Sequence, residues 1–214
     1  DSPDFYAVSL ESYSGVVMDN IAMRGSSGTI FNKINRSQLN YQYGKEPISL
    51  VILQYGGNTV PYIDSQKKAD DYGRWFGAQI ASIKSMLPNA DIVLIGPSDM
   101  AIKEKTDYVT YPFLVEVRDA LKKAAFDNGA AFWDIYEVMG GKNSMASWVS
   151  TDPPLAGPDY IHFTPKGAKR IAELFFKALD KDFTQFEAKQ KALNAKSTAK
   201  DSSQMKQDTT ENVE

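Results

Sequence analysis

Apolar and polar residues alternate over 6–10 (Tyr-Ala-Val-Ser-Leu), the two-residue period of a half-buried strand, and 11–15 reads as a turn. A second strand is expected over 16–22 (Val-Val-Met-Asp-Asn-Ile-Ala). It leads into a glycine-flanked turn at 24–28 and a weakly helical stretch over about 29–40. Residues 48–54 (Ile-Ser-Leu-Val-Ile-Leu-Gln) form a near-continuous apolar run, the pattern of a strand buried on both faces. Over 64–87 the period becomes helical, with Ala69, Tyr72, Phe76, Ile80, Ile83 and Leu87 at helical spacing. Further strands are expected at 91–95 and 130–135 and further helices at 113–128 and 165–179. The last of these places Ile171, Leu174, Phe175 and Leu179 on one face.

Strands alternating with helices from residue 48 onward indicate an α/β protein with a mainly parallel sheet. In such a sheet, ligands bind beyond the carboxyl ends of the strands. Four loops leave such ends here: 24–28, 55–59, 96–99, and the longer segment that holds Asp159 and His162. They are expected to share one rim. From about residue 183 the chain turns polar apart from Phe183 and Phe186, and 195–214 reads as a solvated, disordered tail. The expected organisation is therefore 1–15 as the end of an upstream or inserted β-rich segment, 16–182 as one α/β domain, and 183–214 as a polar, partly helical to disordered tail.

Composition narrows the function classes. The 214 residues suffice for one domain with a sizeable core. A net charge of -3 and the lack of a basic stripe with interleaved aromatics give no footprint for nucleic acid. No apolar run approaches the length needed to span a bilayer. The absence of cysteine removes disulfides, thiol nucleophiles and cysteine-based metal sites together. The chain begins at Asp1 with neither a basic nor an apolar leader region, which reads as a processed or truncated product.

The chain holds one histidine, His162, in the run Gly157-Pro-Asp-Tyr-Ile-His-Phe-Thr-Pro-Lys-Gly167. Imidazole is the side chain that titrates unperturbed near neutral pH. Asp159 lies three residues earlier, and a helix starts just after. That layout suits a general base with an orienting carboxylate and is a poor one for a metal. It is equally compatible with an idle loop histidine.

The order Arg-Gly-Ser-Ser-Gly (24–28), Gly-Gly-Asn-Thr (56–59) and Asp-Tyr-Ile-His (159–162) resembles the SGNH, or GDSL-like, hydrolases over roughly residues 16–180. The resemblance implies a flavodoxin-like three-layer sandwich and a serine esterase acting through an acyl-enzyme. It assigns His162 as base then acid, Asp159 as its orienter, and Gly25 with Asn58 as oxyanion-hole donors. It implies no metal and no cofactor. Relatives with an inserted β-sandwich suggest an acylated carbohydrate, such as an O-acetylated cell-envelope polysaccharide, and hence a periplasmic or secreted bacterial setting. Transfer of the acyl group to a sugar hydroxyl would use the same residues. Trp148, Tyr160 and Tyr55 could stack on sugar rings, or serve only as rim packing.

Two departures stand out. Thr59 occupies the position where the family's third block usually has aspartate. The Gly-Asp-Ser nucleophile block is absent from this sequence. Three accounts follow. The nucleophile strand lies upstream on the same polypeptide, so that the sheet here is incomplete at its centre, between 16–22 and 48–54; this is the reading adopted. Alternatively, Ser26 or Ser27 substitutes as nucleophile, against the competing reading of capping serines. In the third account the domain is a remnant that binds a glycan without cleaving it.

Overall fold

The computed structural model describes residues 12, 14–43 and 48–210. In chain order the elements are α1 (Arg36–Tyr43), β1 (Leu50–Gln54), α2 (Gln66–Met86), β2 (Asp91–Ile95), β3 (Ala101–Glu104), β4 (Asp107–Thr110), α3 (Leu114–Asp127), β5 (Ala131–Trp133), α4 (Ile135–Met139), α5 (Ser144–Ser150) and α6 (Pro165–Thr210). Short 3-10 turns occupy Phe31–Lys33 and Val60–Tyr62.

The main sheet is parallel, in the order β1-β2-β5, with Ile52 opposite Val93 and Val93 opposite Ala131. Alternate side chains feed two cores. Leu53, Ile92 and Leu94 pack under Phe76, Ile80, Val117 and Leu121 of α2 and α3. Ile95 and Ile52 pack on the opposite side with Ile135, Met145 and Trp148, and with Ile171 and Phe175 of α6. The sheet thus lies between two helical layers, the three-layer α/β architecture expected. Phe76, Ile80, Leu94 and Leu121 are fully buried, and each such side chain contributes about 1.5–3 kcal/mol of burial. Gly73 lets α2 and α3 approach closely, because a Cβ there would sit 2.8 Å from Ala120.

Local sequence accounts for the element ends. Ser65 caps α2 by accepting the Lys68 N–H, and Asp134 caps α4 by accepting that of Glu137. Thr164 caps α6 through the Gly167 N–H at 3.2 Å, with Pro165 following at the first helical position. The stretch over 29–40 is a 3-10 turn and then α1, whose start is capped by Asn35 Oδ1 on the N–H groups of Ser37 and Gln38.

Several expectations change. Residues 16–22 form no strand: they are irregular and exposed, with Val16 at 97% and Met18 at 77%. A largely apolar ribbon becomes a strand only beside a neighbour that takes up its backbone groups. Among the described residues β1 pairs with β2 alone, so no such neighbour is present. The strand expected at 130–135 is shorter, because Asp134 turns the chain into α4. The helix expected to end near 179 runs on to Thr210 through the polar tail, including much of the stretch read as disordered. No proline or glycine follows Gly167, and the tail is rich in lysine, alanine and glutamine, which are good helix formers. The strand expected at 6–10 lies outside the described residues.

Candidate active site

The site assembles at the carboxyl ends of the parallel strands. After β1 the chain turns through Gly56 (φ +115°), whose carbonyl accepts the N–H groups of Thr59 and Val60 at 2.9 and 3.2 Å. A side chain at Gly56 would strike Leu121 and Pro97 at 2.9 Å, so only glycine fits this turn. The turn lifts Asn58 onto the rim, where its Nδ2 donates to the Ser26 carbonyl at 3.2 Å. This bond joins the 55–59 loop to the 24–28 loop. The latter turns at Gly25 (φ +69°) and is tied down by the Tyr72 hydroxyl on the Ser27 carbonyl at 3.0 Å. The Gly25 N–H has no acceptor among the described residues.

The loop carrying the histidine closes on itself. Gly157 N–H donates to the His162 carbonyl at 2.8 Å, and Ala156 bridges to Phe163. Asp159 organises the interior of this loop. Its Oδ1 accepts the backbone N–H groups of Ile161 (3.0 Å) and His162 (3.1 Å), while Oδ2 lies 2.7 Å from His162 Nδ1. An ionised carboxylate only accepts, so in the neutral ring Nδ1 carries the proton and Nε2 keeps the lone pair. Partial burial raises the Asp159 pKa, but the ring and the two backbone N–H donors outweigh it and bring it to about 2. The pair is exposed, with His162 at 78% and Asp159 at 48% of their side-chain surface.

An open cleft of about 430 Å³ is lined by Ala22, Met23, Arg24, Gly25, Asn58 and His162. Four of the residues singled out from the sequence are thereby gathered: three on the wall, and Asp159 directly behind His162. The other five, Ser26, Ser27, Trp148, Tyr55 and Tyr160, do not line the cleft. Ser26 Oγ accepts the Gly28 N–H at 3.1 Å, and neither Ser26 nor Ser27 lines the cleft. Trp148 is a correction. It is buried at 9% exposure, donates Nε1–H to the Met139 carbonyl at 3.0 Å, and packs on Phe163, so it cannot stack on a ligand. Tyr55 lies between Phe31 and Phe76, with ring centroids at 5.9 and 5.6 Å, as a packing residue. Among the described residues no three acidic or imidazole side chains are grouped so that they could hold a metal ion.

Sequence patterning missed the structures behind this rim. Asp99 closes the 96–99 loop and is fully buried. Its Oδ1 accepts from Thr110 Oγ1 (2.8 Å) and its Oδ2 from Met145 N–H (2.8 Å) and Ser144 Oγ (3.4 Å). Burial pushes its pKa up against these donors. Only its position at a strand end hinted at it. Arg24 on the cleft wall was adjacent to Gly25 in sequence, but no spacing rule marks it.

A parallel three-layer fold with an aspartate-held histidine over glycine and asparagine turns is the framework of an acyl-transferring hydrolase. The model of the GDSL-like lipase/acylhydrolase family matches residues 2–170, and the chain belongs to this family. Among solved structures, a peptidoglycan O-acetylesterase is 27% identical at a TM-score of 0.61, over 73% of this chain and 44% of that one. The chain therefore spans less than half the length of that enzyme. A Parabacteroides merdae protein assigned as a GDSL-like lipase is 18% identical, with a TM-score of 0.44 and 68% of each chain covered. The Bacillus subtilis protein YxiM is 18% identical, with a TM-score of 0.46 over 74% of this chain and 44% of that one. No curated protein matches the sequence.

Proposed function

We propose that this chain is the histidine-bearing part of a serine esterase that removes O-acyl groups, O-acetyl in particular, from a carbohydrate or cell-envelope polysaccharide. The observation that carries the reading is the Asp159–His162 pair, with Nε2 free, on one cleft with Gly25 and Asn58. The likeness to a peptidoglycan O-acetylesterase supports the substrate class. An envelope substrate places the enzyme outside the cytoplasm.

The nucleophile comes from a segment upstream on the same polypeptide, added as a parallel strand to the free side of β1 so that its end meets the cleft. Supporting this, β1 pairs on one side only among the described residues, and the apolar ribbon 16–22 lies exposed. In the reaction, the serine hydroxyl attacks the ester carbonyl as His162 Nε2 takes its proton. Asp159 holds the ring and stabilises the imidazolium. The Gly25 N–H and an Asn58 amide hydrogen donate to the oxyanion, each such donor being worth about 2.7–4 kcal/mol. His162 then protonates the departing sugar oxygen, and water, activated by the same imidazole, releases the acyl group as its acid. If a sugar hydroxyl replaces that water, the same residues make an acyltransferase.

The test is hydrolysis of p-nitrophenyl acetate and of O-acetylated peptidoglycan by the parent polypeptide, with His162→Ala alongside. Turnover that disappears in the variant supports the reading, and turnover that persists overturns it. The 214-residue chain alone is expected to be inactive. Activity of this chain, lost in Ser26→Ala or Ser27→Ala, would move the nucleophile into the 24–28 loop. Glycan binding with no turnover by the parent would favour the non-catalytic reading.

A further inference from the structure

Tyr160 lies between Asp159 and Ile161 with φ at +57°, a left-handed conformation that is unfavourable for a bulky aromatic residue. Such a conformation persists only where the surroundings over-determine it. Two of the contacts that hold it come from one element, the β3–β4 hairpin. The Tyr160 ring stacks on Tyr108 of β4, with centroids 3.5 Å apart and planes 5° from parallel. The Tyr160 carbonyl accepts the N–H of Ala101, the first residue of β3, at 2.9 Å. The third contact is internal to the loop, from its own N–H to Gly157 O at 3.0 Å.

The hairpin is a sheet separate from the main one, and its tip residues Lys103 to Thr106 are exposed. Its root, however, is fixed. Asp99 binds Thr110 on β4 and the Ser144–Met145 start of α5. Asn143 Oδ1 accepts the Thr110 N–H at 2.9 Å, and the Asn143 N–H donates to Thr110 Oγ1 at 2.7 Å. A continuous chain of contacts therefore runs from the domain body through the hairpin to the residue between Asp159 and His162. The pair itself is too exposed to be held by packing of its own.

We propose that Tyr108 and Tyr160 are positioning residues, and that the β3–β4 hairpin is a strut holding the Asp159–His162 pair in its proton-transferring geometry. No residue of the hairpin lines the cleft. The hairpin acts through Tyr160 by fixing the backbone turn that brings the carboxylate under the ring. The catalytic part of the inference rests on the esterase reading, whereas the geometric part does not.

Because His162 is the only histidine, its two ring nitrogens can be read alone in a long-range proton–nitrogen spectrum of the 214-residue chain. The expected result is a single Nδ1–H tautomer in the wild type and in Tyr108→Phe, which keeps the stacked ring. In Tyr108→Ala the expected result is a mixture of tautomers, with the melting temperature within a few degrees of wild type. In the parent polypeptide Tyr108→Ala should lower kcat about 10-fold to 100-fold at unchanged KM, with Tyr108→Phe restoring it. Should Tyr108→Ala unfold, Tyr160→Gly removes the same stack while easing the positive φ, and should give the same two signatures. Wild-type tautomer and kcat in the folded stack-deleted variants overturn the proposal, as does a loss in Tyr108→Phe equal to that in Tyr108→Ala. A parent without esterase activity overturns the functional reading, and the ring-nitrogen spectrum still decides the geometric one.

Discussion

Asp159 holds His162 with both carboxylate oxygens: Oδ2 lies 2.7 Å from the ring Nδ1, and Oδ1 accepts the backbone N–H of the same residue at 3.1 Å. One side chain thus sets both the path of the loop and the tautomer of the ring. The two tasks separate in Asp159→Asn. The amide oxygen can still accept the backbone N–H groups, but its NH2 meets Nδ1 and drives the proton to Nε2. The fold should survive with a melting temperature within a few degrees. In the parent polypeptide, on the proposed esterase function, kcat should fall by about 10²–10⁴-fold. His162→Ala should cost at least as much, and Asp159→Ala should lose stability as well as rate.

The pH dependence of stability follows from the same carboxylate. Its folded pKa of about 2 lies below the ordinary aspartate value of 3.8. A depressed pKa means that the folded state favours the ionised form. The contribution to stability is therefore full above the unfolded value and is lost as pH falls from about 4 through about 2. Urea unfolding of wild type and Asp159→Asn should show a stability difference that narrows over that window. A difference constant from pH 5 to pH 2 would contradict the assignment.

How legible each part was depends on whether its cause is local. The runs at 48–54 and 91–95 declared themselves by their nearly unbroken apolar sequence. Strand β2 is buried from Ile92 to Ile95, whereas β1, paired on one side among the described residues, is largely half-buried or exposed. Helices α2 and α3 carry their apolar face in their own period. The β3–β4 hairpin escaped because it buries little beyond Ala101 and turns through Lys105-Thr106 without glycine, Lys105 itself taking φ +54°. Residues 16–22 misled in the opposite direction, since a largely apolar run states readiness to pair and not the presence of a neighbour. At the site, spacing marked Asp159 and His162, whereas Gly25 and Asn58 came from the resemblance to the SGNH hydrolases. Sequence left Trp148 open between sugar stacking and packing; its burial favours packing, and its partner, the Met139 carbonyl, sits on the five-residue helix α4 that no periodicity announces.

Asp99 should be a stability residue and not a chemical one. Asp99→Ala leaves the Met145 N–H and the Ser144 and Thr110 hydroxyls facing a void. Buried donors that lose a charged acceptor cost about 1–3 kcal/mol each, so a loss of about 3 kcal/mol is expected in urea unfolding of the 214-residue chain. A loss below about 1 kcal/mol would show that the buried carboxylate is not what ties the hairpin to α5.

Gly167 offers the sharpest steric test. It lies in the first turn of α6, where the Leu155 carbonyl passes so close that an added Cβ would lie 1.8 Å from its oxygen and 2.8 Å from its carbon. The obstacle is backbone, so no rotamer change relieves it. That same carbonyl accepts the Thr164 N–H at 3.0 Å, and Leu155 N–H is itself bound to the Trp148 carbonyl at 2.9 Å. Gly167→Ala must therefore push α6 away from the 155–163 loop and break the Thr164 bond beside His162. A cost of about 3 kcal/mol is expected, at the upper end for overpacking because rigid chain and not side chain must move. Gly57→Ala supplies the contrast: nothing lies within 4 Å of a Cβ at Gly57, and its φ is outside the left-handed region. It should change stability by less than about 0.5 kcal/mol. Equal stabilities for the two variants in parallel urea titrations would mean that α6 can shift freely, and the His162 loop would then lack the rigid floor that its geometry implies.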